Sequence, residues 1–132
     1  MSGGSDRGYI KSLVKTLLES GFEVAVLHNR GVGNTPYTST QFADLTQSEP
    51  FIKMMAFISK EAPEADLVGV GLSLGGCLIM RIAGEMGANF PLRAIVSVNN
   101  PFDLWLSINL MRGKPYEKHL AAELKKNLLL PD

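Results

Sequence analysis

Leu67-Val68-Gly69-Val70-Gly71-Leu72-Ser73-Leu74-Gly75-Gly76-Cys77-Leu78-Ile79-Met80 is the stretch whose reading decides the fold. It opens with a short apolar run of the kind buried in a parallel sheet, and it closes on an apolar helical pattern. Between them stands Gly71-Leu72-Ser73-Leu74-Gly75, a G-x-S-x-G spacing. That spacing predicts strand, sharp turn and helix, with the serine at the apex in a strained conformation and its hydroxyl projecting past the sheet. Ser73 is therefore the candidate nucleophile, and the competing reading is a purely structural Gly-Ser turn. Glycine is expected at 71 and 75 because a side chain there would collide where strand and helix approach closely. The backbone N–H of Leu74, at the helix start, faces the place where an oxyanion would form.

Two other glycine readings fail on their own terms. A phosphate-cradling loop needs Lys and Ser/Thr after Gly76, and the chain continues Cys77-Leu78. A dinucleotide fingerprint starting at Gly31-Val32-Gly33 needs Gly or Ala where Pro36 stands.

Outside the elbow, composition narrows the function classes. The 132 residues suit one domain, and 45% hydrophobic with 20% charged is ordinary globular composition. Thirteen basic residues balance thirteen acidic ones, with no Lys/Arg cluster, so a nucleic-acid partner is not expected. Cys77 is the only cysteine, which excludes an intrachain disulfide and reads as a small core residue. No apolar run approaches the roughly 20 residues that cross a bilayer, and Met1 to Asp6 lacks the regions of a signal peptide. As written, the chain reads as soluble and cytoplasmic; an upstream membrane anchor and the oligomeric state stay open.

The flanks alternate helix and strand. Ile10, Leu13, Val14, Leu17 and Leu18 recur at helical spacing, with Ser5 as the expected cap and Gly21 as the stop. Glu23 to His28 predicts a strand that runs into the turn-forming stretch Asn29 to Pro36. Phe51, Met54, Met55 and Ile58 line a helix opened by Ser48-Glu49-Pro50 and closed by Ala62-Pro63. After the elbow, Leu78, Ile79, Ile82 and Ala83 point inward until Gly84 and Gly87 weaken the helix, and Ala94 to Val98 predicts a third strand. Apolar strands separated by helices give an α/β class with a central parallel sheet and helices on both faces. The whole of 1–132 reads as one partial domain, with a core over 1–100 and a helical, lid-like tail over 101–132. In that tail Phe102, Trp105, Leu106, Ile108 and Leu110 read as core residues at helical spacing or, on the resemblance set out next, as the start of a lid over an acyl-binding groove.

Five segments together resemble the AB hydrolase 4 family of α/β-hydrolases, which includes bacterial esterases and membrane-anchored eukaryotic phospholipase-type enzymes. They are Gly3-Gly4-Ser5, Asn29 to Gly33, Gly69 to Gly76, Asn99-Asn100-Pro101-Phe102-Asp103-Leu104 and Tyr116-Glu117-Lys118-His119-Leu120. Each is weak alone, but the five run in order nearly end to end. The resemblance implies a mostly parallel sheet of eight strands, a Ser, Asp, His triad and action on esters, often lipid esters. It implies Ser73 as nucleophile, Leu74 as one oxyanion donor and the stretch around Ser2 as the second.

Measured against that family, the chain reads as an incomplete α/β-hydrolase fold. It starts where members have a His-Gly pair at a strand end, and that strand would lie between those matching Val24 to His28 and Leu67 to Gly71. The family's acid and histidine follow later strands and have no matching residue here. Asp103 and His119 do follow Ser73 in the hydrolase order and offer a weak internal triad. Both, however, match family segments outside the triad, and they read equally as a helix cap and a surface position. His28 reads as a structural histidine bonded to loop backbone. Two histidines and one cysteine far apart give no metal-ligand spacing, and no cofactor is expected. The expected function is a serine hydrolase of carboxylic esters with a small-molecule or lipid ester substrate. The alternative is a non-catalytic interaction module that pairs an exposed sheet edge with another chain.

Overall fold

The computed structural model describes residues 4–32, 35–36 and 47–129. The elements run α1 (Gly8–Glu19), α2 (Glu49–Glu61), β1 (Val68–Leu72), α3 (Leu74–Met86), a 3-10 turn (Gly87–Asn89), β2 (Ala94–Val98), α4 (Leu104–Met111) and α5 (Pro115–Leu129). The described residues divide into two compact units, one of 47–112 and one of 4–32, 35–36 and 113–129.

The first unit is built on a β-α-β crossover. β1 and β2 pair in parallel, with Val68 opposite Ala94, Val70 opposite Val96 and Leu72 opposite Val98. Parallel strands need a long connection, and α3 supplies it. Because side chains alternate along a strand, Gly69, Gly71, Ile95 and Ser97 share one face and Val68, Val70, Val96 and Val98 the other. α3 lies on the glycine face. A Cβ built on Gly69 would run into Ile79 Cδ1 of α3, so the missing side chain is what lets this helix approach. On the opposite face Val68, Val70, Val96 and Val98 remain 37–49% exposed.

The core sits between α2 and α3. Met55 of α2 meets Leu78 and Ile82 of α3, and Phe51, Ile52, Met86, Phe90 and Leu92 pack around them. Ile82, at 1% exposed, is the most deeply buried large side chain. A polar clasp closes the rim: Ser48 Oγ donates to Glu85 Oε2 at 2.6 Å and accepts from Arg81 Nη2 at 3.0 Å. α2 starts and stops where Ser48-Glu49-Pro50 and Ala62 predict. Glu49 in its first turn is held below the usual carboxylate range by a hydrogen bond from Lys53 and by that residue's charge.

The second unit contains α1 and α5. α1 ends as Gly21 predicts: Phe22 N donates to Leu17 O and Gly21 N to Leu18 O, with Gly21 at φ 86°. This pairing satisfies the last helical carbonyls through a left-handed residue that glycine adopts without strain. The start differs from expectation, because Arg7 rather than Ser5 is the N-cap and no side chain caps the helix. The strand expected over Glu23 to His28 is also absent; residues 22–29 belong to no ladder. The apolar run carries the propensity, but a strand exists only through a neighbour's hydrogen bonds, and among the described residues only β1 and β2 pair.

Candidate active site

β1 ends at Leu72, α3 begins at Leu74, and Ser73 is the single residue between them. Its backbone sits at φ 53°, ψ −120°. A non-glycine residue in such a conformation costs on the order of 1–3 kcal/mol and persists only where its surroundings over-determine it. They do so here from both sides. Ser73 N donates to Val98 O at 2.8 Å, stitching the turn to the end of β2. Ser73 O accepts from Gly76 N at 2.9 Å and from Cys77 N at 3.2 Å, closing the first turn of α3.

Close packing beneath the turn does the rest. A Cβ on Gly71 would lie 2.5 Å from Gly75 O and 2.7 Å from Gly76 Cα, both immovable backbone. A Cβ on Gly76 would lie 2.6 Å from Ser97 Oγ and 3.1 Å from Gly71 O. The expectation for Gly75 is corrected: a side chain there meets nothing within 4 Å. One residue is about 100° of helix, and it is Gly76, not Gly75, whose phase faces the strand.

The consequence is an exposed serine whose side chain makes no capping bond to its own helix. Gly76 N and Cys77 N are taken up by Ser73 O, which leaves the N–H groups of Leu74 and Gly75 with no carbonyl in a preceding turn, at the positive end of the helix dipole beside Ser73. An attacking hydroxyl beside such donors is the arrangement that acyl transfer uses.

Sequence reasoning did not single out the floor of the turn. Ser97 Oγ and Asn100 Oδ1 are buried there without a hydrogen-bond partner, and Asn99 joins Ser73 as a non-glycine residue at positive φ, 51°. Parallel register is the signal that would have found them, since Ser97 pairs with Gly71, and Asn99 follows the residue opposite Leu72.

Of the remaining candidates, Asp103 and His28 are each bonded to backbone. Asp103 is the N-cap of α4, and its Oδ1 accepts from Leu106 N at 2.8 Å, which is the helix-cap reading of this residue. His119 is exposed on α5 in the other unit. His28 Nε2 accepts the Ser5 N–H at 3.0 Å, so this ring does hold loop backbone, that of the segment before α1. Ser2 lies outside the described residues. Cys77 is partly buried on α3.

A family profile described as alpha/beta hydrolase fold matches residues 2–123. The embryogenesis-associated protein EMB8 of Picea glauca is 29% identical over 131 residues, covering 96% of this chain and 29% of its own. The medium-chain fatty acid ethyl ester synthase/esterase 2 of Saccharomyces cerevisiae is 32% identical over 108 residues, 81% of this chain and 24% of its own. The monoacylglycerol lipase ABHD2 of Danio rerio is 33% identical over 86 residues, 64% of this chain and 20% of its own. This chain thus spans 20–29% of the length of these relatives. No solved structure matches.

Proposed function

This chain belongs to the alpha/beta hydrolase fold family, and from that premise we propose that it carries the nucleophile of a serine hydrolase acting on carboxylic esters, lipid esters among them. The observation that carries the proposal is the strained, exposed Ser73 at φ 53° between β1 and α3. Ser73 Oγ attacks the ester carbonyl carbon while a histidine takes its proton. The Leu74 N–H stabilises the tetrahedral oxyanion, with a second donor from the stretch around Ser2. Collapse releases the alcohol, and water then frees the acid from the acyl-serine. Relatives named esterase and monoacylglycerol lipase support the ester substrate.

The proposal places the acid and the base outside residues 1–132. Two things support this: Asp103 is committed to capping α4, and the relatives are three to five times longer than the matched region. Residues 1–132 alone should therefore be close to inactive, because losing triad members costs several orders of magnitude in rate. The test is labelling with a fluorophosphonate in the protein expressed from its complete coding sequence. An adduct on the Ser73 peptide, lost in Ser73→Ala, is expected; an adduct elsewhere, or none, would overturn the assignment.

A second reading, a non-catalytic interaction module, is favoured by one observation, the open valine face of the β1–β2 sheet. Size-exclusion chromatography separates the two. In the protein expressed from its complete coding sequence, a monomer labelled at Ser73 rules out the module, and an unreactive oligomer rules out the hydrolase.

A further inference from the structure

Ser73 is not alone in its backbone conformation. Among the described residues two that are not glycine lie at positive φ, Ser73 at 53° and Asn99 at 51°. They are neighbours. The last pair of the β1–β2 ladder sets Leu72 opposite Val98, so Ser73 and Asn99 come next, and Ser73 N donating to Val98 O at 2.8 Å carries the ladder one bond further. Adjacent strands run about 4.8 Å apart, which puts the two residues side by side at the carboxyl end of the sheet. That end is where open α/β sheets take their ligands, and outlying backbone conformations gather at functional sites.

Local structure does not account for Asn99. A strand end that needs only positive φ is served by glycine, and asparagine found there commonly bonds its short amide to nearby backbone. The Asn99 side chain makes no such bond among the described residues, and the residue is exposed. The turn that follows is closed by Phe102 N donating to Asn100 O at 3.0 Å, and it is Asn100 that keeps its Oδ1 buried under the elbow. Asn99 thus presents two N–H donors and a carbonyl acceptor beside the candidate nucleophile. An uncharged amide that both donates and accepts complements a hydroxyl, which does the same. An apolar acyl chain against it would leave its polar groups unpaired. An ionic group calls for opposite charge, and the turns 71–77 and 97–101 have none. Asp103, the nearest charge along the chain, caps α4 at Leu106 N.

We propose that Asn99 contacts the substrate by hydrogen-bonding a free hydroxyl on the alcohol part of the ester, which favours partial esters of a polyol over esters of simple alkanols. This rests on the hydrolase reading with Ser73 as nucleophile and adds to it the chemistry of the alcohol.

The protein expressed from its complete coding sequence is assayed on glyceryl monobutyrate and propyl butyrate, which share an acyl group and differ in the hydroxyls of the alcohol. Asn99→Gly removes the amide and suits a backbone at φ 51°, so it should fold as the parent does, checked by circular dichroism and the urea midpoint. In this variant the kcat/KM ratio of glyceryl to propyl ester should fall about three- to tenfold, as one lost hydrogen bond predicts, with the loss in KM for the glyceryl ester. Asn99→Asp keeps a side chain that bonds a hydroxyl and tolerates positive φ, and should hold the ratio above that of Asn99→Gly. A ratio that Asn99→Gly leaves unchanged would overturn the contact. So would the two esters falling together, which would make Asn99 a support of the elbow. Fluorophosphonate labelling of the parent separates this claim from the one beneath it. No adduct at Ser73 overturns the hydrolase reading and the contact with it, whereas an adduct with an unchanged ratio overturns the contact alone.

Discussion

The two faces of the β1–β2 sheet are made from one alternating pattern and have opposite fates. On one, glycine at 71 brings α3 to backbone contact and glycine at 69 leaves room for the Ile79 and Leu92 side chains, and the strain of Ser73 is held by the first of these. On the other, Val68, Val70, Val96 and Val98 present the branched side chains that sheets bury, yet they stay 37–49% exposed. The glycine face is rigid because backbone atoms have nowhere to go. The valine face makes no such demand, and its apolar area is available to whatever covers it.

That contrast can be broken most sharply at Gly71. Gly71→Ala sets a methyl against Gly75 O and Gly76 Cα and should cost about 3 kcal/mol or more, read as a lower urea midpoint at unchanged slope. Gly75→Ala, where a Cβ meets nothing within 4 Å, should be neutral or stabilise by about 0.5–1 kcal/mol. Equal effects at the two glycines would mean that α3 does not press on β1 as described. Ser97→Ala removes a buried hydroxyl that lacks a partner and should be neutral or stabilising by up to about 1 kcal/mol in thermal melts; a marked loss would reveal a bonded hydroxyl. On the open face, Val96→Thr should change stability by no more than about 0.5 kcal/mol in monomeric protein, and a larger loss would show that the valines are covered in solution.

The smallest effect belongs to Glu49. Its folded-state pKa is lowered, so its contribution is present above the ordinary value of 4.5 and is lost as pH falls through the lower folded value. Glu49→Gln should therefore leave the melting temperature unchanged within error at pH 3 and, at pH 7, lower it at most slightly, since the pair is fully exposed.

What could be read in the chain follows the range of the interactions involved. The helix stop at Gly21, the bounds of α2 and the Asp103 cap each depend on a few consecutive residues, and each appears where local chemistry puts it. Ser5 is the exception at this scale, displaced as cap by Arg7. The candidate site was legible as a spacing and a type of turn. The assignment of close contact to Gly75 rather than Gly76 failed because spacing alone carries no helical phase against the strand.

By itself, then, the sequence determined the α/β class, the parallel pair β1 and β2 joined by α3, and the position of the elbow serine, because these rest on periodicity and on glycine's missing side chain. Only the tertiary structure decided that Glu23 to His28 joins no ladder, that Ser97 and Asn100 floor the elbow, and that one sheet face is pressed while the other stays open. Those outcomes depend on hydrogen bonds and close contacts between residues far apart in the chain, and no local pattern encodes whether the partner is there.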